Sequence, residues 1–290
     1  MSFIEQLING LSSGSIYALI ALGYTMVYGI AKMLNFAHGD IIMVSGYVLV
    51  MCLSVEISPI IALLITIMAC TLLGVVVEKV AYKPLRKASP LTVLITAIGV
   101  SYLLQSIALL IYGSNQKKVG SIIEIPTIEI AGMTITGTSI VTLGVTTVIM
   151  IGLTYFINKT KMGKAMLAVS EDKGAAQLMG INVDRTISVT FAIGSGLAAV
   201  AGVLYFAAYT YVDPYTGSMI GIKAFVAAVF GGIGSIPGAM IGGILLGIIE
   251  SLSKAYISTA LSDAIVFSVL IIVLLVKPTG ILGKIRMEKV

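Results

Sequence analysis

The chain's one histidine, His38, lies in the stretch AKMLNFAHGD at 31–40, together with Lys32, Asn35 and Asp40. A histidine and an aspartate two residues apart are raw material for proton transfer or metal ligation. The other parts of either chemistry are missing. No nucleophile stands beside the pair, and Cys52 and Cys70 fall in or beside apolar runs without ligand spacing. No catalytic residue and no metal set is assigned. GKA at 163–165 and GKI at 283–285 lack the upstream glycine and the hydroxyl residue of a phosphate-binding loop, so no cofactor is expected on this chain. Asn35, Gly39 and Asp40 have a plainer explanation, as residues that end one helix and cap the next. The alternative is a turn set within the thickness of a membrane, where a broken helix exposes free N–H groups to a carboxylate or to water.

The elements around this stretch are set by composition. Of the 290 residues, 58% are hydrophobic and 11% charged, and the mean hydropathy is +1.08. Soluble domains carry roughly 25% charged residues, so the bilayer must be the solvent. Helix-length apolar runs replace the ~10-residue alternating segments of a barrel. The expected fold is an all-α polytopic membrane protein. The net charge of +5 lies in membrane-flanking loops without interleaved aromatics, which argues against nucleic acid as a partner. MSFIEQLING has no basic leader, so no cleaved signal peptide is expected.

A span needs about 20 apolar residues. The runs predict spans at 6–29, 40–55, 59–78, 91–112, 139–157, 187–209, 218–233, 236–252 and 262–276. Eight remains open, because the glycine-rich centre of 218–252 would suit either a tight turn or a broken helix. Basic residues set the orientation. With alternating spans, 14 of the 18 fall on one side, and Lys117, Lys118, Lys223 and Lys254 on the other. The N-terminus is then outside and the C-terminus cytoplasmic.

Two connections are long. In 113–138, IIEIPTIEIAGMTITGT alternates apolar and polar residues and predicts a short β-hairpin. The cytoplasmic segment 159–186 holds the densest charge. There Ser170 reads as a helix N-cap, Glu171 and Asp172 as first-turn acids, Ala175, Ala176, Leu178 and Met179 as a short helix with a small apolar surface, and Gly180 as the terminating glycine. Such a helix either lies in the headgroup region or docks in a partner's groove.

Ser13, Tyr17, Tyr24 and Tyr28 recur at offsets that fall within roughly 60° on a helix. This stripe would line a pathway for a polar solute, or bond neighbouring helices and anchor the interface. A second interruption, with Asp213, Pro214 and Gly217, falls outside where 31–40 falls inside. The first four and last four spans would then form an inverted repeat with one broken element each. The pairs Gly238/Gly242 and Gly243/Gly247 allow close helix packing, within the chain or against a neighbour.

GSIYALIALGYTMVYGIAKMLNFAHGD (14–40), GAAQLMG (174–180) and KAFVAAVFGGIGSIPGAMIGGILLGIIE (223–250) together resemble the permease subunits of branched-chain amino acid ABC transporters. GAAQLMG is similar to the E-A-A-x-x-x-G motif of importer permeases at Ala175, Ala176 and Gly180. Gly174 departs at the glutamate position, and the motif's later I-x-L-P is absent. The resemblance implies a single permease domain over 1–290, whose coupling segment within 159–186 is gripped by separate ATPase subunits. It also implies two ATP-binding cassette partners that use the ATP and a second related permease chain or a homodimer. An extracytoplasmic substrate-binding protein and the inner membrane of a bacterium or archaeon complete the picture. Urea, amides and other small polar solutes are the alternative cargo. An ion-coupled carrier is the alternative class, and it would need acids within the membrane.

Overall fold

The structure, a computed structural model, describes residues 3–120, 122, 126–130 and 133–283. Lys284, Arg286 and Lys289 of the charge count, and part of the expected hairpin stretch, lie outside the described residues.

All nine predicted segments are helices. Six are long and apolar enough to cross a membrane: α1 (Phe3–Ala31), α3 (Pro59–Val77, extended to Leu85), α4 (Pro90–Tyr112), α5 (Gly137–Lys159), α8 (Val183–Ala208) and α10 (Ile236–Tyr256). Three are shorter: α2 (His38–Ser54), α9 (Thr216–Gly231) and α11 (Ser262–Val276). Two small helices, α6 (Lys161–Glu171) and α7 (Lys173–Leu178), fill the connection between α5 and α8. This is a multi-pass α-helical membrane protein.

The starts of the helices follow their capping residues. Ser89 accepts from Thr92 N (3.3 Å) with Pro90 behind it, and Ser235 accepts from Gly238 N (3.2 Å) with Pro237 in the first turn. After α3 the chain continues as a π-helical turn, Glu78–Tyr82.

Lipid contact explains the outer surface. On α3, Ile60, Leu64, Met68, Leu72 and Val76 recur every fourth residue and are all more than half exposed. A row of that size left in water would drive association, whereas hydrocarbon accepts it. The inside is built on α1 and α8. Leu19, Ile20 and Leu22 of α1 and Ala198, Ala199 and Ala201 of α8 are wholly buried. The packing repeats in pairs: α1 packs on α10 as α8 packs on α3, α9 meets α1 as α2 meets α8, and α2 touches α4 as α9 touches α11.

Glycines let α1 and α10 touch at backbone distance. A Cβ on Gly14 would stand 2.7 Å from Ile244 O, and one on Gly10 2.8 Å from Ile248 Cα. Gly243 and Gly247 meet α1 at Ala18 and Gly14, while Gly238 and Gly242 meet Gly231 on α9. Both glycine pairs of α10 are therefore used within the chain.

Alternate connections collect at opposite ends of the bundle. At one end Lys173 Nζ reaches Ala31 O (2.9 Å), the Tyr82 hydroxyl reaches Asn35 (2.8 Å), and Ile281 N donates to Phe230 O (2.9 Å). At the other, β1 (Lys117–Lys118) pairs antiparallel with β4 (Tyr211–Val212), Phe3 packs on Tyr256, and Thr134 N donates to Glu5 (3.1 Å). The expected hairpin forms from β2 (Ile128–Ile130) and β3 (Met133–Ile135). The pairing of β1 with β4, across most of α5 to α8, had no local signal.

Two details differ from the sequence expectation. Ser170 does not cap a helix; its hydroxyl donates to Leu167 O (2.7 Å) inside α6. Met166 and Val169 are buried on one face and carry α6 on to Glu171. The cap of α7 is Asp172, extended at φ −151°, which accepts from Ala175 N (2.9 Å). Lys223, counted with the outer-side charges, lies within α9 with 9% of its surface exposed.

Candidate functional site

The break after α1 starts at Lys32, an exposed residue with φ 60°. The chain then turns inward. Asn35, His38 and Asp40 are each 3% exposed or less. Asn35 O accepts from His38 N (3.1 Å) and Ala37 O from Asp40 N (3.1 Å). The second break repeats this winding: Asp213 O accepts from Thr216 N (3.2 Å) and Tyr215 O from Ser218 N (3.0 Å). Asn35, Ala37, His38, Gly39 and Asp40 thus stand in order where Asp213, Tyr215, Thr216, Gly217 and Ser218 stand. The second break is braced locally: Asp213 N donates to Thr216 Oγ1 (2.9 Å), Tyr215 N donates to Asp213 Oδ1 (2.8 Å), and Pro214 is buried.

The two helices that follow meet at their beginnings. A Cβ on Gly39 would come 2.5 Å from Gly217 O and 2.9 Å from Gly221 Cα. No side chain fits between them. Because α2 and α9 run away from this crossing in opposite directions, their N-terminal turns meet inside the bundle. The first break is a deep element rather than a surface turn.

Asp40 lies in the first turn of α2, as expected of an acid at that end, but the capping explanation for Asn35 is corrected here. No side chain caps α2 at Ala37. Asn35 Oδ1 instead accepts from the Tyr82 hydroxyl (2.8 Å). Asp40 Oδ1 accepts from Gln105 Nε2 (2.9 Å), and the same nitrogen stands 3.0 Å from Ser101 Oγ and 3.0 Å from Ser218 Oγ. One amide on α4 thereby joins the first turns of both broken helices. Ser101 and Gln105 were missed, although a polar pair four residues apart in an apolar span is a visible signal.

The hydroxyl stripe of α1 turns into the protein. Tyr24 meets the His38 ring edge-on at 4.7 Å and Phe225 at 5.9 Å. His38 lies over Gly23, and its Nε2 has no hydrogen-bond partner among the described residues. Tyr17 is buried beside Glu250, and Ser13 and Tyr28 are half-buried. Tyr24, Tyr28, Asn35 and Phe225 border a cavity of about 10 Å³, room for one water. Tyr17 and Tyr24 thus join helices within this chain.

Acidic side chains near the ends of two apolar helices, Glu250 of α10 and Asp263 in the first turn of α11, gather around Lys223. Lys223 Nζ contacts Glu250 Oε1 (2.9 Å) and Asp263 Oδ1 (2.7 Å), and Lys254 Nζ contacts the same Glu250 oxygen (2.6 Å). This cluster ties α9, α10 and α11. Lys223 and Glu250 are the buried pair, while Lys254 and Asp263 reach the surface, and the opposite charges offset one another, which is what allows the buried pair.

At the basic end, Arg86 bridges Glu78, at the end of α3, to Asp184, in the first turn of α8. Ser188 Oγ donates to Glu78 Oε2 (2.7 Å). Above this cluster sits α7, capped at its start by Asp172 and stopped by Gly180 at φ 80°, as expected of a terminating glycine. Ala176 is buried within the chain, so it anchors α7 rather than offering a free face. Glu171, Asp172 and Ala175 are exposed. The most exposed apolar side chains here are Leu178 (90%) and Met179 (82%), the part of the expected small apolar surface that stays open. Burial lowers the pKa of Lys173 from the usual lysine value, and the Arg86 charge adds to it.

Buried, paired helix interruptions in a lipid-facing helical bundle define a membrane transport protein. The family model described as the permease component of a branched-chain amino acid transport system matches residues 6–274, and the chain belongs to that family. It is a permease component, not an enzyme. It is similar to the high-affinity branched-chain amino acid transport system permease protein LivH of Salmonella typhimurium and of Escherichia coli. Each is 46% identical over 99% of this chain and 98% of the relative. It is similar also to BraD of Pseudomonas aeruginosa, at 42% identity over the same shares. No solved structure matches.

Proposed function

We propose that this chain is one permease subunit of an ABC importer for branched-chain or related hydrophobic amino acids. The observation that carries the reading is similarity over nearly the full length to permeases named for that transport. The whole of 1–290 serves as one permease domain in a bacterial or archaeal inner membrane. All nine apolar helices cross, with the N-terminus outside and the basic end cytoplasmic. The matched winding at 35–40 and 213–218, and the paired packing of α1–α4 and α8–α11, support an inverted repeat.

The chain binds no cofactor of its own. Two ATPase subunits consume ATP and press on α7 through Leu178 and Met179, and a binding protein delivers the amino acid outside. Alternating access follows when α7 displaces the inner ends of the spans and the paired breaks shift about Gly39 and Gly217. The pathway runs beside the breaks and against a second permease chain, since the cavity at Tyr24 and Tyr28 admits one water and not an amino acid.

Reconstitution into vesicles with and without the ATPase subunits tests this. The expected result is leucine uptake that needs ATP, the ATPase subunits and the binding protein. Gradient-driven uptake by this chain alone would sink the reading. ATP-driven uptake of urea or amides with no competition by leucine would move the cargo to small polar solutes.

A further inference from the structure

We propose that Lys173 is the positioning residue that carries movement of the ATPase-facing helix α7 into the break at 32–37. The assignment rests on the ABC-permease function proposed above and adds the route by which α7 acts.

Lys173 is the first residue of α7, and its ammonium is held away from the ATPase-facing surface. Its Nζ donates to Ala31 O at 2.9 Å. That carbonyl belongs to the last residue of α1, where a helix leaves carbonyl oxygens without intrahelical partners. A cation there also meets the negative end of the helix dipole. The bond therefore joins the start of α7 to the end of α1.

The next residue along α1 is Lys32, whose backbone is left-handed at φ 60°. A non-glycine residue in that conformation costs roughly 1 kcal/mol or more and persists only where its surroundings impose it. Lys173 is one of the groups that hold the chain at this point. Beyond Lys32 come Asn35, pinned to Tyr82, and Gly39, in contact with Gly217. Movement of Ala31 thus reaches the crossing of the two broken helices through three bonded or touching steps.

The other end of α7 is shaped to receive force. The helix is short, capped by Asp172 and closed by Gly180 with Gly180 N on Gln177 O (3.0 Å) and Ile181 N on Ala176 O (3.0 Å). Such a helix moves as one piece. Leu178 and Met179 project from its end, while Ala176 is seated in the chain and serves as the pivot. A push on Leu178 turns Lys173 about Ala176. Arg86, whose charge Lys173 feels, keeps α3 and α8 joined beside it, and the hydrogen bond of Lys173 goes instead to the end of α1.

The test uses the assembled transporter, with both permease chains, the ATPase subunits and the binding protein, in vesicles loaded with ATP and supplied with leucine. Lys173→Met keeps the stem and removes the donor, and Lys173→Arg keeps a donor. For Lys173→Met we expect co-purification of the ATPase subunits and ATP hydrolysis within about twofold of wild type, and leucine moved per ATP reduced about tenfold. Lys173→Arg should recover most of the loss. A Met variant with the wild-type ratio of leucine to ATP overturns the inference. So does a Met variant that no longer co-purifies, because Lys173 then serves assembly, and so does an Arg variant as defective as the Met variant. If the unsubstituted assembly moves no leucine on ATP, the function itself fails. That failure is recognisable because it appears without any change at Lys173.

Discussion

Gly39 and Gly217 each occupy the second position of a helix, and the two helices begin against one another with no side chain between them. The contact requires both residues to lack a Cβ, which makes it a size-sensitive point of the fold.

Gly39→Ala should cost about 1–3 kcal/mol, because the added methyl meets backbone that cannot turn aside. Gly99→Ala is the control, since a Cβ there meets nothing within 4 Å. Thermal unfolding in detergent should show a lowered midpoint for the first and an unchanged or raised one for the second. Equal midpoints would contradict the crossing.

Gln105→Leu leaves Asp40 buried without its amide donor and severs the link to Ser218. Ser101 remains beside the carboxylate, and losing one hydrogen bond to a charged group costs about 1.5–3 kcal/mol. Expression level and unfolding midpoint should both fall. Gln105→Asn, with a side chain one methylene short of Asp40, should fall between Leu and wild type. A Leu variant as stable as wild type would show that the amide is not holding the two breaks together.

Lys223→Met leaves Glu250 facing Lys254 alone and Asp263 without its partner. Breaking a buried ion pair costs about 3–5 kcal/mol, and removing the stranded charge recovers part of it. Lys223→Met should be more destabilised than the double variant Lys223→Met/Glu250→Gln, as read by a double-mutant cycle on unfolding midpoints. Additive losses would place Lys223 and Glu250 outside each other's influence.

Leu178→Glu and Met179→Glu put charge on side chains that touch little of this chain. The permease should fold normally, with an unchanged unfolding midpoint, and lose the ATPase subunits on affinity purification. Retention of those subunits with both substitutions present would move the docking surface away from α7.

A cysteine at Asn35 should react slowly with aqueous reagents at rest, since the position is 3% exposed. Its reactivity should change when ATP and binding protein are both supplied. Constant fast labelling from the cytoplasmic side would describe a surface loop instead.

Helix positions were legible because a bilayer imposes long apolar runs, and the hairpin because alternation survives at short range. Gly180 was legible because a left-handed helix end is a local demand on one residue. Other features depend on partners far along the chain. The charge of Lys223 is invisible as buried until Glu250 and Asp263 are brought to it by α10 and α11. Asp40 was legible as a first-turn acid, but its donor, Gln105, is on another helix and was not. Ser170 looked like a cap because sequence alone does not reveal that Met166 and Val169 keep α6 going past it. The breaks themselves were visible from their composition; that they touch was not, since NFAHGD and DPYTGS share only the glycine.

That single shared letter sits where the two breaks touch. Away from the crossing, each break faces a different neighbour, so Asn35 and Asp213, or His38 and Thr216, answer to different surroundings. Gly39 and Gly217 face each other. Whatever bulk one gains, the other must absorb, and neither has any to give up. Each glycine is the wall the other meets, and that wall accepts only the smallest residue.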